Sequence, residues 1–201
     1  PVKNIIITGN KEVKDYEIIE AANIKNYPSF ISINKSKITK TLKQNPFIKD
    51  VQIKKNFKFQ ITINVTEEKV VAYNLTNQSY LLSNGTYIND KNFLGVPQLN
   101  NYTPEDVLKN FAEELGKLDE DIIADISEIE YSPSKNETGE TIDSTRFKLK
   151  MKDGNTVYIN VKKCNVLSYY NQIYASLKDK KGVLNLDSGN YERYVLTLYE
   201  E

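Results

Sequence analysis

Residues 57–66, FKFQITINVT, alternate without a break, setting Phe57, Phe59, Ile61, Ile63 and Val65 against Lys58, Gln60, Thr62, Asn64 and Thr66. A strand turns successive side chains to opposite faces, so this run predicts one buried and one wet face. Val51 and Ile53 carry the pattern on a preceding strand. Lys55-Asn56 reads as the tight turn between the two, since Asn tolerates positive φ. Upstream, VKNIIITGNK is a β-branched strand closed by Gly-Asn. DYEIIEAANI then offers Asp15 as an N-cap, with Ile18, Ile19 and Ala22 on one helical face. NKSKITKTLKQ offers Asn34 as a second cap, with Ile38 and Leu42 one turn apart, until Pro46 pushes Asn45 out of the α region. Strand, helix, helix, strand, strand is a complete small α+β unit, because two short helices cover one face of three strands.

After Val70 the pattern changes to hairpins. Tyr80-Leu81-Leu82 and Tyr87-Ile88 flank Asn84-Gly85, a strong hairpin signal. TPEDVLKNFAEELGKL predicts a helix capped by Thr103, with Val107, Leu108, Phe111, Leu115 and Leu118 along one side. Strands follow around Ile126 to Tyr131, at Phe147-Leu149-Met151 and at Val157-Ile159-Val161, the last two joined through Asp153-Gly154. The polar insert SPSKNETGETIDS reads as a mobile loop. A final helix carries Val166, Leu167, Tyr170, Ile173, Tyr174 and Leu177, and GVLNLDSGNYERYVLTLYEE supplies one or two terminal strands. The second unit is expected to be a mainly antiparallel sheet with two helices packed on it.

Composition narrows the chemistry. The 201 residues hold 27 basic and 27 acidic side chains, so no one-signed field draws the whole chain to nucleic acid. There is no histidine, which removes imidazole catalysis and His-liganded metals. The single Cys164 cannot pair within the chain, and with no imidazole to activate it, it reads as a structural thiol. No cofactor or metal is expected. No run approaches the roughly 20 apolar residues that span a bilayer. The chain starts at Pro1 and enters a strand at once, as expected of a piece of a longer protein whose membrane anchor precedes it.

Candidate sites are few. Glu67 and Glu68 would need roughly 5 to 9 Å between convergent carboxyl groups to cleave a glycosidic bond, yet adjacent strand residues point to opposite faces. They read instead as charges at the junction of two units, Glu67 closing the long strand. The Asn-x-Ser/Thr sequons, Asn84 among them, follow from an Asn-rich composition and from turns. The terminal segment is more informative. Val183, Leu184 and Leu186 form a short apolar strand, and Tyr191, Tyr194 and Tyr199 follow it. Such a strand either packs in the core or leaves an unpaired edge that accepts a partner strand.

The succession VKNIIITGN, EIIEAANI, NPFIKDVQIKK, ITINVTEEKVVAY, LLSNGTYI, ISEIEY, MKDGNTVYI and GVLNLD resembles the extracellular part of the DivIB/FtsQ family of bacterial cell-division proteins. The likeness covers nearly the whole chain in order and spacing. One departure is Phe57-Lys58-Phe59, where the family places a proline in the hairpin. The resemblance implies a POTRA domain over 1–68 and a β domain over 69–201, outside a cell membrane crossed once by a preceding helix. It implies a non-enzymatic division-septum scaffold that binds small bitopic proteins of the DivIC/FtsB and FtsL type near the septal peptidoglycan synthase. By the same likeness the partner site falls at Val183, Leu184, Leu186 and Tyr191. One alternative is a POTRA-type polypeptide-binding module of a transport or assembly machine, which tandem copies of the first unit would favour. Another is a wall hydrolase, which would need two acids facing a concave cleft.

Overall fold

The computed structural model describes residues 1–188 and 195–199, and the chain divides into two compact units, Pro1–Lys69 and Val70–Glu201. The first unit runs β1 (Asn4–Thr8), α1 (Asp15–Ala21), α2 (Lys35–Leu42), β2 (Ile48–Lys55) and β3 (Gln60–Glu67). Its sheet order is β1-β3-β2, with β1 parallel to β3 and β2 antiparallel to it. Ile61, Ile63 and Val65 turn to the helices and are buried with Ile18, Ile38 and Leu42. Asn34 caps α2 as its sequence predicts, its Oδ1 accepting from the Lys37 amide at 3.0 Å. Helix α1 begins one residue earlier than expected: Lys14, not Asp15, is the N-cap, and its amide donates to the Glu17 carboxylate at 2.7 Å. Gly9 holds φ +82, and a Cβ there would lie 2.0 Å from the Val65 carbonyl oxygen. Only glycine lets β1 turn away this close to β3.

Two aromatic residues leave the predicted face. Strand β3 starts at Gln60, so Phe57 and Phe59 sit in the β2–β3 turn, and Phe59, not Asn56, carries the positive φ. Asn56 instead accepts the Lys58 and Gln60 amides at 2.9 and 3.3 Å.

The second unit contains β4 (Val70–Asn74), β5 (Ser79–Leu82), β6 (Tyr87–Ile88), β7 (Gln98–Leu99), α3 (Glu105–Gly116), α4 (Glu120–Ala124) and β8 (Ile126–Tyr131). After these come β9 (Ser134–Lys135), β10 (Thr141–Asp143), β11 (Arg146–Met151), β12 (Thr156–Asn160), a 3₁₀ helix (Val161–Tyr169), α5 (Tyr170–Ser176), β13 (Gly182–Asn185) and β14 (Val195–Leu198). One sheet of order β14-β13-β12-β11-β8-β7-β4-β5-β6 holds nine of these strands. It is mainly antiparallel, with parallel pairs at β4–β7, β7–β8 and β12–β13. The polar insert forms the small β9–β10 hairpin. The predicted final helix divides into a 3₁₀ turn and α5, and the short α4 is an element beyond the two helices expected.

The core lies between this sheet and its helices. Leu108, Phe111, Ala112 and Leu115 of α3 are buried, and Phe111 stacks on Phe147 of β11 with centroids 3.8 Å apart and planes 8° from parallel. Cys164, Leu167 and Tyr170 complete the same cluster. The predicted cap at Thr103 is not made: Pro104 is the N-cap of α3, and the buried Thr103 hydroxyl has no hydrogen-bond partner among the described residues. The other face of the sheet carries crossed charges, Lys150 bonding Glu128 at 2.9 Å and Lys148 lying 3.9 Å from Glu130. Among the described residues no helix is long and apolar enough to cross a membrane.

Candidate protein-binding edge

Strand β13 is interior. It pairs parallel with β12, Val183 beside Thr156 and Leu184 beside Val157, and antiparallel with β14, Val183 beside Thr197 and Gly182 beside Leu198. Alternation sends Leu184 to the inner face, where it is 1% exposed, and Leu186 beyond the strand is 0% exposed. Both are core residues, so their side chains are not a surface that a partner can touch. Val183 faces the other way and is half-buried. Tyr191 and Tyr194 lie outside the described residues. The free border is therefore one strand further along than an apolar GVLNL run implies: it belongs to β14.

The ladder fixes which atoms β14 presents. The Tyr199 amide donates to the Lys181 carbonyl at 3.2 Å. In an antiparallel pair, residues bonded to the partner alternate with residues whose N–H and C=O point away. Leu196 and Leu198 are of the second kind, and among the described residues no strand lies beyond β14 in the sheet order. Leu198 is 51% and Tyr199 44% exposed, an apolar border on that open edge.

Three contacts hold the strand pair. The Tyr199 hydroxyl meets Thr156 Oγ1 at 2.7 Å. Gly182 lies so close to β14 that a Cβ would meet the Thr197 carbonyl oxygen at 2.1 Å. Asn155, buried, accepts the Gly182 amide at 3.0 Å and donates to the Tyr170 hydroxyl at 3.3 Å, while that hydroxyl donates to Asp153 at 2.5 Å. Burial first, and the hydrogen bond to Asp153 second, push the Tyr170 phenol above its ordinary range, so it stays a neutral donor. At the pair's entrance Lys181 bonds the Tyr174 hydroxyl at 2.9 Å and lies 4.6 Å over its ring; that hydrogen bond raises the ammonium pKa. The sequence carried a usable signal for Gly182 and Leu198, in the small residue opening one strand and the alternation of YVLTLY. It carried none for Asn155.

The other candidates resolve differently. The Glu67 carboxylate is engaged in the first unit, Oε1 accepting from Val13 at 2.9 Å and Oε2 from Glu12 at 2.8 Å, and the Glu68 amide donates to the Phe47 carbonyl at 2.8 Å. Burial pushes the Cys164 thiol up to about 12, which keeps it protonated and inert. Among the described residues no group of three or more Cys, Asp or Glu could hold a metal ion.

A family model described as a POTRA domain of FtsQ type matches residues 1–68, and the first unit is a domain of that class. The chain is 30% identical over 195 residues to the cell division protein DivIB of Listeria monocytogenes, spanning 93% of this chain and 70% of that protein. Against the cell division protein DivIB of Bacillus subtilis it is 31% identical over 198 residues, spanning 94% and 73%. This chain belongs to the DivIB family of cell-division proteins, and its role is in cell division. The solved major extracytoplasmic domain of DivIB from Geobacillus stearothermophilus, in its trans isomer, aligns with a TM-score of 0.44 at 24% identity, covering 56% of this chain and 96% of that one.

Proposed function

We propose that this chain is a non-enzymatic scaffold of the division septum, with residues 1–68 as its POTRA domain and 69–201 as its β domain. The β domain holds small bitopic membrane proteins of the DivIC/FtsB and FtsL type by adding an extended segment of the partner to the open edge of β14. The septal peptidoglycan synthase is a further partner of the assembled complex. The region works outside the cell membrane, tethered by a single span that precedes it. Val183 belongs to this surface, Leu184 and Leu186 support it from the core, and Tyr191, which lies outside the described residues, is a further proposed contact of the partner. The observation that carries the reading is the outward-pointing backbone of Leu196 and Leu198 on a border with apolar side chains. Added strands gain affinity from main-chain hydrogen bonds and selectivity from alternate side chains.

Leu198→Pro tests it. Proline deletes an outward N–H and leaves the bonds to β13 in place, the position at which an edge strand tolerates it. In a pull-down with the outer domain of a DivIC-type partner, the variant is expected to lose binding while its circular dichroism and melting temperature stay those of the parent. Leu198→Lys, which keeps the N–H but charges the border, is expected to weaken binding. Parental binding by Leu198→Pro sinks the proposal.

A further inference from the structure

The first unit displays a group of exposed apolar side chains at the end of its sheet opposite the one that holds Glu67, while exposed Tyr16 at the start of α1 and Ile6 on β1 stand apart from it. Ile31 is 91% and Phe57 87% exposed, and Tyr27 and Phe59 stand half out beside them. The segments are tied together. The Val2 amide donates to the Pro28 carbonyl at 2.8 Å and the Lys3 amide to the Phe59 carbonyl at 2.9 Å, while Phe30 packs edge-on against Phe59 with centroids 5.4 Å apart. Tyr27 and Phe59 hold φ of 49° and 58°, left-handed backbone that suits glycine and strains a bulky residue. Aromatic side chains are thus displayed where the backbone least favours them.

The same end is basic without compensation. Lys55 lies 4.6 Å over the Phe30 ring and Lys3 5.4 Å over the Phe59 ring, with Lys25 and Lys58 in the adjoining turns. Residues 1–5, 22–34 and 52–61, which build this end, contain no Asp or Glu, although the chain as a whole is neutral. A soluble polyanion would satisfy the lysines and leave Ile31 and Phe57 in water. An apolar protein patch would cover Ile31 and Phe57 and leave the lysines without counter-charge. An anionic headgroup layer above a hydrocarbon interior meets both needs.

We propose that this end of the first unit docks on the surface of an anionic phospholipid bilayer, with Ile31 and Phe57 entering the interface and Lys3, Lys55 and Lys58 meeting the headgroups. The assignment concerns the first unit and is independent of the β14 edge.

The chain has no tryptophan, so Phe57→Trp provides a single fluorescent reporter. Its emission is expected to shift to the blue on titration with vesicles of phosphatidylglycerol and phosphatidylcholine, while Tyr102→Trp in the second unit does not shift. The parent chain is expected to sediment with those vesicles and not with phosphatidylcholine alone. Replacing both Ile31 and Phe57 by serine abolishes sedimentation, and Lys55→Gln or Lys58→Gln each weakens it roughly fivefold. Ile31 and Phe57 are exposed, so the serine variant keeps the parental melting temperature and its loss reports lost contact. An unshifted Phe57→Trp emission overturns the proposal. So does sedimentation that survives the double serine replacement, which would point to a soluble polyanion or a protein as the occupant.

Discussion

Glu67, at the end of β3, accepts the backbone amide of Val13 at 2.9 Å, closing a gap of 54 residues, and its second oxygen takes the neighbouring Glu12 amide. One carboxylate thereby pins the segment between β1 and α1 to the last strand of the unit. Hydrogen bonds to a charged acceptor contribute about 1.5 to 3 kcal/mol each, so Glu67→Ala is expected to cost about 3 kcal/mol or more. Hydrogen exchange at the Glu12 and Val13 amides reads it directly: both should lose protection, with Glu67→Gln intermediate. Unchanged exchange at these two amides would show that the fork contributes nothing.

The two strands at the end of the large sheet meet at Gly182. Its added Cβ would overlap the Thr197 carbonyl, so Gly182→Ala has to push β14 away. Overpacking of this kind costs about 1 to 3 kcal/mol. The amides of Thr197 and Tyr199 should lose protection, whereas Leu149 and Ile159, deep in the sheet, should keep theirs. Equal loss at all four would mean that β14 does not open separately.

Phe147 and Phe57 separate the two uses of one side chain. Phe147 is buried against Phe111, and Phe147→Ala removes a stacked ring from the centre of the core at a cost of about 3 to 5 kcal/mol. Phe57→Ser alters an exposed turn residue and should change urea stability by less than about 0.5 kcal/mol. The contrast is read from two denaturation midpoints.

Alkaline pH should act through Tyr170. The folded chain favours its neutral phenol, raising its pKa above the ordinary 10.0. The unfolded chain releases that proton near pH 10 while the folded chain keeps it, so the contribution is fully present below pH 10 and is lost as pH rises above it. Tyr170→Phe should therefore show a shallower loss of melting temperature above pH 10 than the parent. An identical slope would remove Tyr170 from the cause.

Sequence patterns identified local structure well and position within a sheet poorly. Ile61, Ile63 and Val65, the Asn34 cap and the Asn84-Gly85 turn follow from a few neighbouring residues, and all stand where those residues put them. Phe57 and Phe59 extend the same alternation, but periodicity does not mark where the backbone turns. An apolar run such as GVLNL reads alike at an edge or one strand inside it. Only the pairing of β13 on both sides, with the distant β12 and with β14, decides that, which is why Leu184 and Leu186 read as surface contacts. The 3₁₀ stretch did leave a trace: Val161, Cys164, Leu167 and Tyr170 recur every third residue, the 3₁₀ period. The buried Asn155 network depends on three separated segments and no single stretch announces it.

The parallel pairing of β1 with β3 also has a mechanical consequence. The chain enters the first unit at the start of β1 and leaves it at the end of β3, and these neighbouring strands run in the same direction from Asn4 beside Gln60 to Thr8 beside Asn64. Tension applied between the unit's two ends therefore pulls the strands lengthwise past one another. Every rung of the ladder bears the load together, where a hairpin pulled from its open end would unzip one bond at a time. The first unit is built as a shear clamp, suited to transmit force along the chain without opening.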